Sequence, residues 1–211
     1  MFFKKYCEGD RNVSVSAIGI DCPSCGAAVG IRQDVCEFCE RPVIVSTFNS
    51  VRDMPLPMLN KYAGAYRQLL EQSPSDRGIN NAIAMCYLKL GLHYKASEAF
   101  EKAMNGNFDS SETFFYAAVC LLGGKKAFLA ERSIINKVEE YINAALLIEP
   151  KGIYYYFLAY IKYDYFYRKY FNTSPTYLEA LRMSHDAGVA VSDFDIEQLY
   201  AILCVSRPAA L

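Results

Sequence analysis

The stretch that decides the fold of most of the chain is Ile83–Ala103, IAMCYLKLGLHYKASEAFEKA, in which small and aromatic residues stand at fixed intervals. A helical period of apolar residues begins upstream of it, after Pro55, and is stopped by Ser73-Pro74. Proline is tolerated in the first turn of a helix, so Pro55 is compatible with a helix start. The chain is therefore predicted to be helical from about residue 55 onward. The residues on the first helical face are Leu59, Tyr62, Ala63, Tyr66, Leu69 and Leu70.

The spacing within this stretch resembles the tetratricopeptide repeat (TPR), a helix-turn-helix unit of about 34 residues whose small positions let paired helices approach. In that register one unit runs from Arg77 to Ser110, and Pro74 falls where the family favours proline. Looser units follow at residues 114–150 and 155–183, and a helix at residues 194–205 is expected to cap the stack. The positions that carry the resemblance are Ile83, Ala84, Tyr87, Gly91, Ala96, Phe100 and Ala103.

The resemblance implies a binding surface rather than a catalytic one. TPR stacks expose a curved groove that takes a peptide or a partner helix, and the ligand contacts come from fixed positions of the first helices. Those positions carry Asn81, Met85 and Tyr116 in this sequence, so an apolar or mixed ligand is expected rather than an acidic carboxyl terminus.

Four cysteines near the beginning of the chain form the pattern C-x2-C, ten residues, C-x2-C, with Cys22 and Cys25 in the first pair and Cys36 and Cys39 in the second. Four thiolates at this spacing close the tetrahedral shell of one structural Zn²⁺. Catalytic zinc usually keeps a position open, and a redox C-x-x-C normally occurs once beside a βαβ pattern, so both alternatives are disfavoured.

The segment around the cysteines resembles the zinc-ribbon family over roughly residues 12–50. Strand-like residues are found at 13–17, 28–31 and 43–45. Gly26 allows the tight turn after the first pair, and Glu40 stands where the second turn could also have glycine. Arg32 and Arg41 are its only cations between residues 20 and 50, which favours a structural or protein-contacting role over nucleic-acid binding.

A second feature is the aromatic run at residues 153–171, which puts aromatic rings on every side of one predicted helix. Tyrosine is enriched in interfaces, so Tyr156, Tyr160, Tyr163 and Tyr167 are candidates for contact with a partner or a second copy of the chain. Burial within the stack is the equal alternative. With Lys162, Arg168 and Lys169 interleaved, a stacking surface for nucleic acid is a third, weaker interpretation.

Composition supports a globular binding protein, with 53% hydrophobic and 21% charged residues and a formal net charge of −1. We expect two domains, residues 1–50 with the zinc ribbon and residues 51–211 with the TPR-like repeats. The fold is predicted to be mainly α, an antiparallel helix-hairpin solenoid with a small β zinc ribbon.

The predicted function is that of a non-catalytic protein-protein interaction adaptor or scaffold, and a nucleic-acid-binding regulator is the alternative. No catalytic motif, signal peptide or apolar stretch of membrane-spanning length is seen, so a cytoplasmic protein without membrane contact is expected. Its partner is predicted to be a protein or peptide, with self-association possible and nucleic acid disfavoured.

Overall fold

The computed structural model describes residues 20–29, 33–106 and 108–211. The chain divides into two compact units, Met1–Val43 and Ile44–Leu211. The sequence suggests a division after residue 50 instead. The difference arises because Val45 and Phe48 are 0% and 1% exposed and hydrogen-bond within the helical unit.

The first unit contains a short antiparallel ladder in which β1 (Ile20–Asp21) pairs with β2 (Ala28–Val29), with Ile20 opposite Val29. An isolated bridge joins Val35 to Pro42. The strand-like residues 13–17 and the cation Arg32 lie outside the described residues, and residues 43–45 do not form a strand.

The second unit is built from helices. Its described helices are α1 (Asn49–Arg52), α2 (Leu56–Gln72), α3 (Arg77–Lys89), α4 (His93–Met104), α5 (Ser111–Leu121), α6 (Arg132–Ile148), α7 (Gly152–Ile161), α8 (Tyr177–Asp186) and α9 (Asp193–Leu203). A π-helical turn, Lys162–Phe166, and a 3-10 turn, Tyr167–Lys169, continue α7. The prediction of a mainly helical fold is confirmed.

Local sequence sets where several helices begin. Asp76 accepts a hydrogen bond from the backbone N–H of Ile79, and Ser110 accepts one from that of Thr113. Complete capping boxes open α8 and α9, formed by Thr176 with Glu179 and by Ser192 with Asp195. Each cap satisfies backbone donors that a helix start leaves without partners.

Consecutive helices pack as pairs, α3 with α4, α5 with α6 and α7 with α8, and α4 also contacts α5. Gly91 adopts a φ of 73° in the turn between α3 and α4, a conformation that glycine reaches without steric cost. Helix α9 packs against α5 and α7. Whether these pairs form TPR units stays a prediction.

The connection between α5 and α6 is fixed to the aromatic helix. The N–H of Ala127 donates to Tyr160 Oη at 3.3 Å, and the N–H of Phe128 donates to the buried carboxylate of Asp164 at 2.8 Å. These bonds satisfy polar groups that the packing would otherwise leave unpaired. Among the described residues, no helix combines the length and the apolar composition needed to cross a membrane.

Candidate metal centre

The first cysteine pair lies in a tight turn, residues 22–27, which we call the first knuckle. The N–H of Cys22 donates to the carbonyl of Ala27, and the N–H of Gly26 donates to the carbonyl of Cys22, both at 2.8 Å. Gly26 has a φ of 77°, the left-handed conformation that reverses the chain. Cys22 and Cys25 therefore project from one side of the turn.

The second pair lies in an equivalent turn, residues 36–41, the second knuckle. The N–H of Cys36 donates to the carbonyl of Arg41, and the N–H of Glu40 donates to the carbonyl of Cys36, both at 2.9 Å. Glu40 adopts a φ of 56° at the position that Gly26 has in the first knuckle. Arg41 also donates to Ser24 Oγ at 3.0 Å, which links the two knuckles.

The four sulfur atoms lie close enough together to share one metal ion. Cys22 Sγ is 3.7 Å from Cys39 Sγ, and Cys25 Sγ is 3.7 Å from Cys36 Sγ. All four lie within 4.8 Å of one another. A regular tetrahedron with Zn–S bonds of about 2.3 Å has sulfur atoms about 3.8 Å apart, so the two separations of 3.7 Å fit zinc.

Backbone donors help to hold two of the thiols. The N–H of Arg41 bonds the Cys39 sulfur and is the largest cause of a pKa lowered to about 7. The N–H of Ala27 bonds the Cys25 sulfur in the same way, and this bond is the largest single influence on the Cys25 pKa, which it lowers. Desolvation and the three other thiols together outweigh it and raise the pKa to about 11. Metal ligation requires thiolates, so a bound cation would replace the protons of all four groups.

The residues predicted to line a ligand groove already have partners within the helical unit. Asn81 donates through Nδ2 to the carbonyl of Ser46 at 3.1 Å and accepts from Thr113 Oγ1 at 3.0 Å. Tyr116 is 8% exposed and its ring centroid lies 4.9 Å from that of Phe48, while Met85 is fully buried. Their role in partner binding stays a prediction.

The four tyrosines predicted to meet a partner fall into two groups. Tyr156 and Tyr160 are both 1% exposed and pack edge-on against Tyr200. Tyr163 is half-buried, and Tyr167 is 56% exposed. Only the second group offers surface in this conformation, so burial accounts for part of the aromatic run.

Tyr177, which the sequence does not single out, is half-buried and lies beside Tyr163 and Tyr167. The rings of Tyr163, Tyr167 and Tyr177 have centroids 5.0–5.7 Å apart, and we call them the tyrosine cluster. Tyr177 is the first residue of α8, and no short sequence spacing relates it to α7.

The cations interleaved with the aromatic run are engaged by the chain itself. Lys162 is 5% exposed, and its Nζ lies 2.6 Å from both Glu139 Oε1 and Thr173 Oγ1. Arg168 pairs with Asp164, and Lys169 Nζ lies 3.8 Å from the ring centroid of Tyr165.

No protein-family model matches the chain, and no curated protein matches it either.

Proposed function

We propose that this protein is a non-catalytic adaptor in which a structural zinc ribbon is joined to a TPR-like helical platform that recruits a protein partner. The ribbon interpretation is supported by two knuckles with matching hydrogen bonds and by sulfur separations that suit Zn²⁺. The platform interpretation is supported by the pairwise packing of successive helices. In this proposal Cys22, Cys25, Cys36 and Cys39 hold one zinc ion that stabilises the fold and takes no part in chemistry.

The observation that carries the recruiting role is the tyrosine cluster. Tyrosine combines a large apolar ring with a polar tip and is enriched in interfaces. Tyr167 has more than half of its surface open to solvent although its ring contacts two other rings. Tyr170, which follows it in the chain, is 95% exposed. A protein partner would bury these rings.

The same surroundings weigh against the nucleic-acid alternative. Stacking platforms for single strands combine aromatic rings with cations that are free to meet phosphates. Here Lys162 pairs with Glu139 and Arg168 pairs with Asp164. A partner that approaches the tyrosine cluster through apolar and hydrogen-bonding groups suits this surface better.

Affinity capture of the tagged full-length chain from its own cells tests the proposal. Tyr167→Ala is compared with wild type and with Tyr94→Ala, which removes an exposed tyrosine from α4. Each sample is split into nuclease-treated and untreated halves. We expect a stoichiometric protein that survives nuclease, is lost with Tyr167→Ala and is kept with Tyr94→Ala.

Two results would count against the adaptor. Partners that vanish with nuclease, and whose binding falls steeply with added salt, would favour the nucleic-acid regulator. Partners that bind all three chains equally would remove the tyrosine cluster from the recruiting surface.

A further inference from the structure

An irregular segment of the chain, Val45–Phe48, covers the face where the sequence predicts a ligand groove. We define the α3–α5 groove by the side chains that hold this segment: Tyr66 of α2, Asn81 of α3, and Glu112 and Tyr116 of α5. Val45 and Phe48 are 0% and 1% exposed, whereas Ser46 is open to solvent. The segment thus presents two apolar side chains inward, three positions apart.

The groove holds the segment by its backbone. Tyr66 Oη accepts from the N–H of Val45 at 3.0 Å, Asn81 Nδ2 donates to the carbonyl of Ser46 at 3.1 Å, and Glu112 Oε1 accepts from the N–H of Phe48 at 3.0 Å. Three side chains, one each from α2, α3 and α5, therefore bind backbone groups of residues 45, 46 and 48 in one short segment. Backbone contacts of this kind do not depend on which side chains the peptide carries.

Specificity comes from the two inward side chains. The Phe48 ring lies 4.9 Å from the Tyr116 ring at a tilt of 36°, an arrangement that aromatic pairs favour. Any peptide with a valine-like residue followed three positions later by an aromatic residue would present the same groups.

We propose that the α3–α5 groove is a peptide-binding site closed by the chain's own segment Val45–Phe48, and that its external ligand is an apolar peptide with a Val-x-x-Phe pattern that enters when this segment leaves. The internal segment is autoinhibitory, because its covalent attachment gives it an effective concentration of about millimolar against any peptide in solution. The inference deepens the adaptor function and rests on it, since it names a second recruiting surface and its regulation.

The direct test uses a fluorescein-labelled peptide with the sequence of residues 43–52, VIVSTFNSVR, and the full-length chain. Phe48→Ala removes the aromatic side chain of the internal segment, so the peptide should bind this variant at least about tenfold more tightly than wild type. Adding Asn81→Ala to Phe48→Ala should weaken the peptide again. Phe108→Ala, which removes an exposed phenylalanine elsewhere in the unit, should behave as wild type.

A peptide carrying alanine in place of its phenylalanine should not bind any of the chains. Equal affinity of the native peptide for wild type and Phe48→Ala, in chains with matching circular dichroism, would overturn the proposal. A wild-type dimer that dissociates when the peptide is added would also overturn it, because a second copy would then be the occupant.

Amide hydrogen exchange of the wild-type chain gives a readout that does not depend on whether Phe48→Ala folds. A segment that leaves the groove on its own exposes the N–H groups of Val45 and Phe48 without global unfolding. These two amides should exchange faster than those of the core of α3, such as Met85. Exchange of all three only through global unfolding would make the segment a fixed part of the core and reject the proposal, while leaving the tyrosine-dependent adaptor function untouched.

Discussion

Gly26 and Glu40 hold the same backbone position in the two knuckles, each with its N–H bonded to the carbonyl of the cysteine four residues before it and each with a positive φ, 77° and 56°. Glycine adopts this left-handed conformation freely, but for a residue with a Cβ the conformation is unfavourable by about 1–2 kcal/mol. The second knuckle therefore carries a conformational cost that the first does not.

Glu40→Gly should remove that cost. We expect the cysteine site to bind zinc more tightly by about 1 kcal/mol, or roughly fivefold in the dissociation constant. Competition with a chromogenic chelator measures the change. The reciprocal variant is Gly26→Ala, whose added Cβ would meet no atom within 4 Å, so any loss of affinity reports the backbone conformation alone. Unchanged affinity in both variants would show that the knuckle backbone does not limit metal binding.

Cys25→Ser tests the metal centre itself. Removing one of four thiolates opens the coordination shell, so the purified variant should contain far less than one zinc per chain and its first unit should lose protection from proteolysis. Elemental analysis gives the metal content. Cys204→Ser, which changes an exposed thiol in the helical unit, should keep one zinc per chain. Full zinc occupancy in Cys25→Ser would refute the four-cysteine site.

Local spacing predicted the parts of the structure that depend on near neighbours. The two C-x2-C pairs predicted that the four cysteines lie close together, and the position of Glu40 predicted the second left-handed residue. Ser73-Pro74 predicted the end of α2, which lies at Gln72. Each of these features is decided within a few residues by turn geometry or by the restrictions that proline imposes.

The sequence could not decide features that depend on which surfaces meet. Tyr156 and Tyr167 look alike in an aromatic run, but Tyr156 packs against Tyr200 of α9 and is buried, whereas Tyr167 stays exposed. Ser46 and Phe48 are a second example, because no local spacing relates them to the helices that bind them. The residues that bind them, Asn81 and Glu112, lie far away in the sequence, so these contacts form only once the helices have folded.

Gly152→Ala should strongly destabilise the helical unit. A Cβ at this position would lie 2.4 Å from the carbonyl oxygen of Ser184 and 2.4 Å from the nitrogen of Val191, both of which are backbone atoms. Relief requires the end of α8 and the chain after it to move, which would also disturb the 2.7 Å bond from the Gly152 N–H to the carbonyl of Val189. We expect a loss of about 3 kcal/mol in the free energy of unfolding.

Denaturant unfolding measures this loss, and Gly188→Ala is the matched control. A Cβ at Gly188 meets nothing within 4 Å, so that variant should unfold within about 0.5 kcal/mol of wild type. Equal stability of the two variants would mean that the contact between the start of α7 and the segment after α8 is not tight.

Glu112→Gln should change how stability depends on pH. Burial raises the pKa of the Glu112 carboxyl above its ordinary value of 4.5, and this outweighs the bond from the Phe48 N–H, which lowers it. The folded chain then binds this proton more tightly than the unfolded chain, so the contribution of Glu112 to wild-type stability falls as pH rises from about 4.5 through the folded pKa. Glutamine does not titrate, and its carbonyl oxygen can still accept from Phe48. As pH rises above about 4.5, the free energy of unfolding of the variant should therefore increase relative to that of wild type. The difference should become constant once Glu112 is fully ionised in the folded chain.

Glu179→Gln supplies a control of opposite sign for the same titration of unfolding against pH. The backbone N–H of Thr176 bonds the Glu179 carboxylate and is the largest cause of its lowered pKa. The stability that Glu179 contributes is present above pH 4.5 and is lost as pH falls through the folded pKa. Its glutamine variant should therefore be less stable than wild type at neutral pH. If Glu112→Gln also became less stable relative to wild type as pH rose, the ionised carboxylate would stabilise the fold. Burial would then not be the dominant influence on the pKa of Glu112.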